Sequence, residues 1–325
     1  MDNGGDPGLR LAPHAVLLRR SPTELQIGVE PSVVVPLAYD PLVRAIAAGD
    51  APHRLRQTAA EQGLDPRALP ELVGALAGAR LLAPTPVAAR LAVRVVGAGR
   101  LGGRVAHELV SAGFGTLYVA DLPGRVWSRG QRRRANNPVT GRGDAPDRLE
   151  VLAASLEDVR PGVQVRRTRH FVHPEGDLVA LSVVVADGPE PDRLVPDLLR
   201  EAGAPHLLVR CSGDEAVVGP LVVPGTTSCV RCTDLARRDA DPRWPWLLEQ
   251  LTRLPIEPAP TLLAWAAVTA AVQALAFVGG ADAESVGRTL ELGAEQHTMR
   301  LRDWPVHPEC PCRWDATPPV VRGLA

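Results

Sequence analysis

Two close cysteine pairs, Cys229-Val230-Arg231-Cys232 and Cys310-Pro311-Cys312, are the residues of this 325-residue chain whose types and spacing speak most directly of chemistry. Four thiolates make a closed tetrahedral site for zinc, and such a site clips a distant C-terminal segment to the middle of the chain. A redox Cys-x-x-Cys is the competing use of the first pair. A redox pair needs no distant partner, so the second pair favours the metal. With no histidine and no open water position in the set, the zinc is expected to be structural. The fifth cysteine, Cys211, ends an apolar segment with no histidine beside it and reads as a buried thiol.

A second constellation is Gly97-Ala98-Gly99-Arg100-Leu101-Gly102, a G-x-G-x-x-G that follows directly on the apolar residues 91–96. Glycines at Gly97, Gly99 and Gly102 allow a tight strand-to-helix turn, let a phosphate approach the backbone and aim a helix N-terminus at negative charge. Asp121 ends the next apolar segment about 20 residues on, where an acid can bond a ribose hydroxyl. Close helix–strand packing is the plainer use of the glycines. Asp187 ends another apolar run, residues 178–186, and either holds Mg²⁺ in the ligand crevice or starts the turn into Gly188-Pro189. Residues 123–144 hold Arg125, Arg129, Arg132, Arg133, Arg134 and Arg142, which either cover the phosphates of a nucleotide or form a solvated loop.

These residues need a sheet to hold them. Apolar strands at residues 91–96, 116–120, 163–165, 178–186, 206–210 and 217–223 alternate with helices after Gly102, at 146–159 and at 192–202, the pattern of a Rossmann-like α/β domain. Ahead of it, residues 9–82 form a small α+β unit. Strands are expected near Ala15–Leu18, Leu25–Val29 and Ser32–Val35, then helices opened by Asp40-Pro41 and Asp65-Pro66. Three strands and about three helices make a winged-helix-like module, or a plain packing domain. Pro84-Thr85-Pro86 marks the linker, giving domains 1–84 and 85–325.

Formal charge is -1 and the sequence pI is about 6.7, so no global field draws nucleic acid or an anionic membrane. Every basic residue is arginine, which excludes a phosphate-binding lysine. Residues 1–13 lack the apolar run of a signal peptide, and a cytoplasmic location is expected. Residues 261–278 come near membrane-spanning length, but Thr269 and Gln273 interrupt them, and a buried core helix is expected instead.

Taken in order, these parts resemble the ThiF and ubiquitin-activating-enzyme family, from about residue 91 to the C-terminus. The resemblance rests on residues 95–102, Asp121, Asp187, the turn at residues 225–232 and the segment 307–312. It implies a sheet domain that binds ATP with Mg²⁺, a structural zinc held by Cys229, Cys232, Cys310 and Cys312, and a homodimer. The zinc turn, preceded by residues 219–225, is similar to the branch associated with azole-forming, ribosomally made peptides. Members of that branch are described as cyclodehydratase partners that bind a leader peptide through an N-terminal winged-helix-like domain. Adenylating members carry an Asn, an Arg and a Lys that place the phosphates. By spacing, Arg129 stands at the Asn position, Arg132 at the Arg and Arg148 at the Lys, an exchange that is not innocuous at a crowded phosphate.

Three readings follow. In the first, the chain captures a leader peptide through residues 9–82, by strand addition at an exposed edge formed by residues 25–29, and presents it to a partner modifying enzyme with ATP chemistry weak or lost. In the second, it is an active adenylyltransferase that activates a C-terminal carboxylate of a peptide or small protein, with Arg132, Arg148 and Asp187 catalytic and Asp121 on the ribose. The third, a nicotinamide-dependent dehydrogenase, shares the glycine turn but has no use for the four cysteines.

Overall fold

The computed structural model describes residues 9–12, 14–83, 91–120, 148–168, 170–172, 179–186, 188–254, 257–293, 295 and 299–313. The chain divides into two compact units, Met1–Pro86 and Val87–Ala325.

In the first unit, three short strands, β1 (Leu17–Arg19), β2 (Glu24–Ile27) and β3 (Val33–Pro36), form an antiparallel sheet in the order β1-β2-β3. Helices α1 (Asp40–Ala48), α2 (Pro52–Glu61) and α3 (Ala68–Gly78) follow. Prolines stand in the first turns of α1 and α2, where a missing N–H costs nothing. Gly49 ends α1 in the left-handed conformation, with φ of 82°. Leu25 and Ile27 of β2 face a core of Leu42, Val43, Ile46, Leu55, Leu72, Leu76 and Leu81.

The expected free edge at residues 25–29 is corrected by the register. β2 is the central strand, paired with β1 from Leu17↔Ile27 to Arg19↔Leu25 and with β3 from Glu24↔Pro36 to Ile27↔Val33. It took the middle because its Leu25 and Ile27 are the most buried strand residues of the unit, and a strand is best covered where neighbours flank it on both sides. Among the described residues, no strand pairs with the outer edges of β1 and β3.

The second unit is built on an eight-stranded mixed sheet. Its strands are β4 (Ala92–Val96), β5 (Thr116–Ala120), β6 (Gln164–Arg167), β7 (Val179–Ala186), β8 (His206–Cys211), β9 (Glu215–Val222), β10 (Arg288–Gly293) and β11 (Arg300–Asp303), in the order β11-β10-β9-β8-β7-β4-β5-β6. From β6 to β8 the strands run parallel, and from β8 to β11 each neighbour is antiparallel. Every residue of β4 is buried, as a central parallel strand covered on both faces requires. On one face Val93 and Val95 join a core with α4 (Arg100–Ser111), α5 (Arg148–Val159) and α9 (Pro260–Val278). On the other, Val96, Ala120 and Val184 pack with Val195 and Leu199 of α6 (Leu194–Glu201). Two further helices, α7 (Val230–Ala240) and α8 (Trp244–Leu251), precede α9.

α9 is long and apolar enough to cross a membrane by length and composition, yet half of its most apolar window is buried inside the protein. Leu262, Leu263, Ala266, Ala267, Ala270, Ala271 and Ala274 face the core. The opposite stripe, with Val268 and Val272, is exposed. Small residues on the inner face let α9 lie close on the sheet and on α4.

Candidate functional site

β4 adjoins β5 on one side and β7 on the other, so the chain reverses its order of strand addition between β4 and β7. In such sheets the crevice beyond the carboxyl ends of those strands is the ligand site. The glycine turn stands there. Gly97 has φ of +104°, and a Cβ on it would meet the Val185 carbonyl of β7 at 2.4 Å. Its N–H bonds the Ala120 carbonyl at 2.8 Å, which ties the turn to the end of β5. A Cβ on Gly102 would lie 1.7 Å from the Gly97 carbonyl oxygen, so the third glycine is what lets the turn close under the helix. Gly99 is the N-cap of α4 in extended conformation and gives the helix no side-chain cap. No side chain of the cap residue competes for the first-turn amides, the groups that receive an anion at a helix start. Arg100 beside them is paired with Glu257 at 2.9 Å.

The structure therefore brings Gly97, Gly99 and Gly102 to the end of the switch strands. Asp121, Asp187, Arg129 and Arg132 lie outside the described residues, as does the whole arginine-rich stretch 123–144. Arg148 begins α5, and its side chain is likewise outside what is described.

Cys229, Cys232, Cys310 and Cys312 come together, with all four sulfurs within 4.8 Å of one another. The Sγ–Sγ distances are 3.9 Å for Cys229 and Cys232, 3.6 Å for Cys229 and Cys310, and 3.5 Å for Cys232 and Cys312. A tetrahedron of sulfurs about 2.3 Å from a metal has edges of about 3.8 Å, so the group fits a tetrahedral ion. Cys229 is the N-cap of α7 and Cys232 sits in its first turn, while the Cys310 N–H bonds the His307 carbonyl at 2.9 Å. The cluster packs against Leu208 and Val222 on the sheet face away from α9. In the cluster as it stands, the Cys229 thiol donates to Cys232 and, against the opposing effect of burial, brings the Cys232 thiol down to about 4. Burial, then the neighbouring Cys232, pushes Cys312 up to about 12. A cation bound by the four sulfurs would displace their protons, so its occupancy would fall with falling pH. Cys211 stands apart, buried in the main core with its thiol 3.9 Å from the Leu262 carbonyl.

A third group was not anticipated from the sequence. Glu190, 5% exposed, lies just past β7 and meets Arg193 at 2.8 Å, Arg237 at 2.9 Å and Arg210 at 3.1 Å. Burial alone would raise its carboxyl, but Arg210, Arg193 and Arg237 outweigh it and bring it down to about 2. Arg193 also makes a bidentate pair with Asp234, both bonds 2.8 Å. The Glu190–Arg193 spacing was visible in the chain, but Arg210 and Arg237 come from β8 and α7, and nothing local announces their meeting.

Comparison with known proteins gives the chain its context. The ThiF family profile matches residues 87–312. The sulfur carrier protein ThiS adenylyltransferase of Bacillus subtilis (strain 168) is 29% identical over 143 residues, which take in 42% of this chain and 42% of that protein. Among solved structures, E. coli MccB with ATP superposes with a TM-score of 0.59 at 16% identity, covering 93% of this chain and 98% of MccB. The microcin C7 biosynthetic enzyme MccB in complex with N-formylated MccA gives 0.59 at 16% identity, over 94% and 99%. A heterocyclase in complex with substrate and cofactor gives 0.55 at 17% identity, over 94% of this chain and 39% of the heterocyclase.

Proposed function

Because the chain belongs to the ThiF family, we propose that it serves the modification of a ribosomally made peptide, binding the leader of that peptide through its first unit and presenting it to a partner enzyme. The observation that carries the reading is the small antiparallel sheet whose two outer edges no strand covers among the described residues, in a chain that also carries a ThiF domain. Support comes from the likeness to MccB, which extends over 93% of this chain, the first unit included, and MccB itself is seen with MccA.

Strand addition is the physical route. The Leu37 N–H bonds the Thr23 carbonyl at 2.7 Å. With Val35 opposite Leu25, the antiparallel alternation turns the Val33 and Val35 amides toward β2 and the Val34 amide outward. On β1, the Gly28 N–H bonds the Val16 carbonyl at 2.8 Å, which by the same alternation turns the Leu17 and Arg19 amides outward. Pro36 offers no N–H. Peptides selected from a displayed random library against the full chain test this. Binding of a selected peptide should be lost in Val34→Pro or Arg19→Pro, whichever edge is used, with thermal stability unchanged. Binding that survives both substitutions would remove the first unit from peptide capture.

ATP chemistry is proposed to be weak or lost, because the arginine-only phosphate set lacks the compact donor of a lysine. Zinc on the four cysteines would supply a fixed cross-link and no reaction. The second reading, an ATP-dependent adenylyltransferase acting on a C-terminal carboxylate, is favoured by the intact geometry of Gly97 and Gly102. It assigns Asp121 to the ribose, Asp187 to Mg²⁺, and Arg132 and Arg148 to the phosphates. Peptide-dependent exchange of pyrophosphate into ATP, abolished in Asp187→Ala, would establish it.

A further inference from the structure

The Glu190 cluster opens into a cavity of about 240 Å³, lined by Glu190, Arg210, Arg237, Trp244, Leu251 and Arg302 among others. That volume is below the roughly 300–1,000 Å³ of small-molecule and nucleotide sites and close to what one amino-acid side chain and a few waters fill. We propose that the cavity is a side-chain pocket for a carboxylate, the aspartate or glutamate of a bound peptide.

Donor supply points to an acceptor ligand. A guanidinium carries five N–H groups. Arg193 is heavily committed, to Asp234, Glu190 and the Pro191 carbonyl. Arg210 forms an ion pair with Glu190 through Nε, and Arg237 donates one terminal nitrogen to it. Neither side chain leaves a fully buried nitrogen without a partner, so the donors they do not use on Glu190 are accessible, and both residues line the cavity. The guanidinium of Arg237 is held between the rings of Trp244, 4.8 Å away, and Trp304, 5.2 Å away, with Arg302 5.4 Å from Trp304. Trp304 is fixed in turn by its Nε1–H bond to Thr289 at 3.0 Å. A cation locked in this way recognises an anion without first losing side-chain freedom.

Charge selects a carboxylate over a phosphoryl group. In the buried cluster Arg193, Arg210 and Arg237 face Glu190 and Asp234, a surplus of one positive charge. At the rim, Arg302 pairs with Glu291 at 3.5 Å and Arg300 with Glu215 at 3.4 Å, which leaves nothing over. One negative charge completes the balance. A dianion overshoots it, against Glu190, Glu215 and Glu291 in the same walls. The wall of Trp244 and Leu251 belongs to α8, which buries none of its residues fully and exposes Trp246 at its surface. A charged floor beside an apolar wall suits a side chain arriving on a peptide.

The inference rests on the peptide-handling reading only for the natural ligand, and the pocket can be tested alone. Ligand-observed NMR titration of the full chain with N-acetyl-glutamate amide, N-acetyl-aspartate amide, N-acetyl-glutamine amide and inorganic phosphate is the experiment. An acidic probe should bind at least about tenfold more tightly than the glutamine probe, as one charge-assisted contact implies. Binding should fall about tenfold in Arg210→Gln, and phosphate should not compete. Should Arg210→Gln fail to fold, Ser212→Glu on the cavity wall introduces a competing carboxylate and should block the probe. No binding by either acidic probe, equal binding of glutamate and glutamine, unchanged binding in the variants, or displacement by phosphate would each overturn the assignment. Loss of leader capture by the first unit would leave this result standing, so the two claims fail separately.

Discussion

Gly102 and Gly103 are neighbours on α4, and one of them has no alternative. A Cβ at Gly102 collides with backbone, 1.7 Å from the Gly97 oxygen, whereas at Gly103 it would touch the Leu152 side chain at an ordinary 3.9 Å. Gly102→Ala is expected to cost about 3 kcal/mol or prevent folding, while Gly103→Ala should stabilise by about 0.5–1 kcal/mol through helix propensity. Urea unfolding of both variants checks the pair. The glycine spacing was legible in the sequence because the turn is local. His206 was not, since its burial depends on the sheet around it. Burial lowers its pKa to about 4, with its Nδ1 3.0 Å from the Ala204 carbonyl. The unfolded chain takes up a proton near pH 6.5 that the folded protein refuses until about pH 4, so stability is present above pH 6.5 and is lost as pH falls through that window. The loss amounts to about 3 kcal/mol. Urea titrations at pH 7 and pH 5 should show about 2 kcal/mol of this drop in the wild type and not in His206→Gln. Both proteins share the thiol cluster, so the difference isolates the histidine.

Among the elements, the strands that alternation or continuous apolar runs announce were legible, from β1 to β9. β10 and β11 were not. β11 reads Arg-Leu-Arg-Asp with every residue exposed, and it exists because β10 offers it an antiparallel edge. The three strands of the small sheet were also readable, but their order was not, since lateral position is set by which strand needs most cover. α9 shows the same division. Its length and apolarity were plain, and its inner face is used by the core. Its outer stripe at Val268, 49% exposed, and Val272, 56% exposed, is a surface a second copy of the chain would cover under the homodimer expectation. Val268→Arg with Val272→Arg should then convert a dimer to a monomer in light scattering after size exclusion, with zinc content unchanged. A dimer of undiminished mass would place the interface elsewhere.

For the whole molecule, the cysteine cluster joins residues far apart in the chain to one sheet face, and it was legible because ligand chemistry constrains spacing more tightly than packing does. Cys310→Ser is expected to lower bound zinc from about one per chain to a small fraction and to lower the melting temperature, both measurable on purified protein. The Glu190 cavity was illegible for the opposite reason, being assembled from helix and strand residues with no motif between them. The proposed function makes the glycine crevice a scaffold that has kept its backbone while its phosphate-placing side chains are all arginine. Calorimetric titration of Mg·ATP into protein of verified zinc content tests this most directly. The account predicts binding weaker than about millimolar or no heat at all. Micromolar binding that disappears in Asp121→Ala would contradict it and establish the crevice as a working nucleotide site.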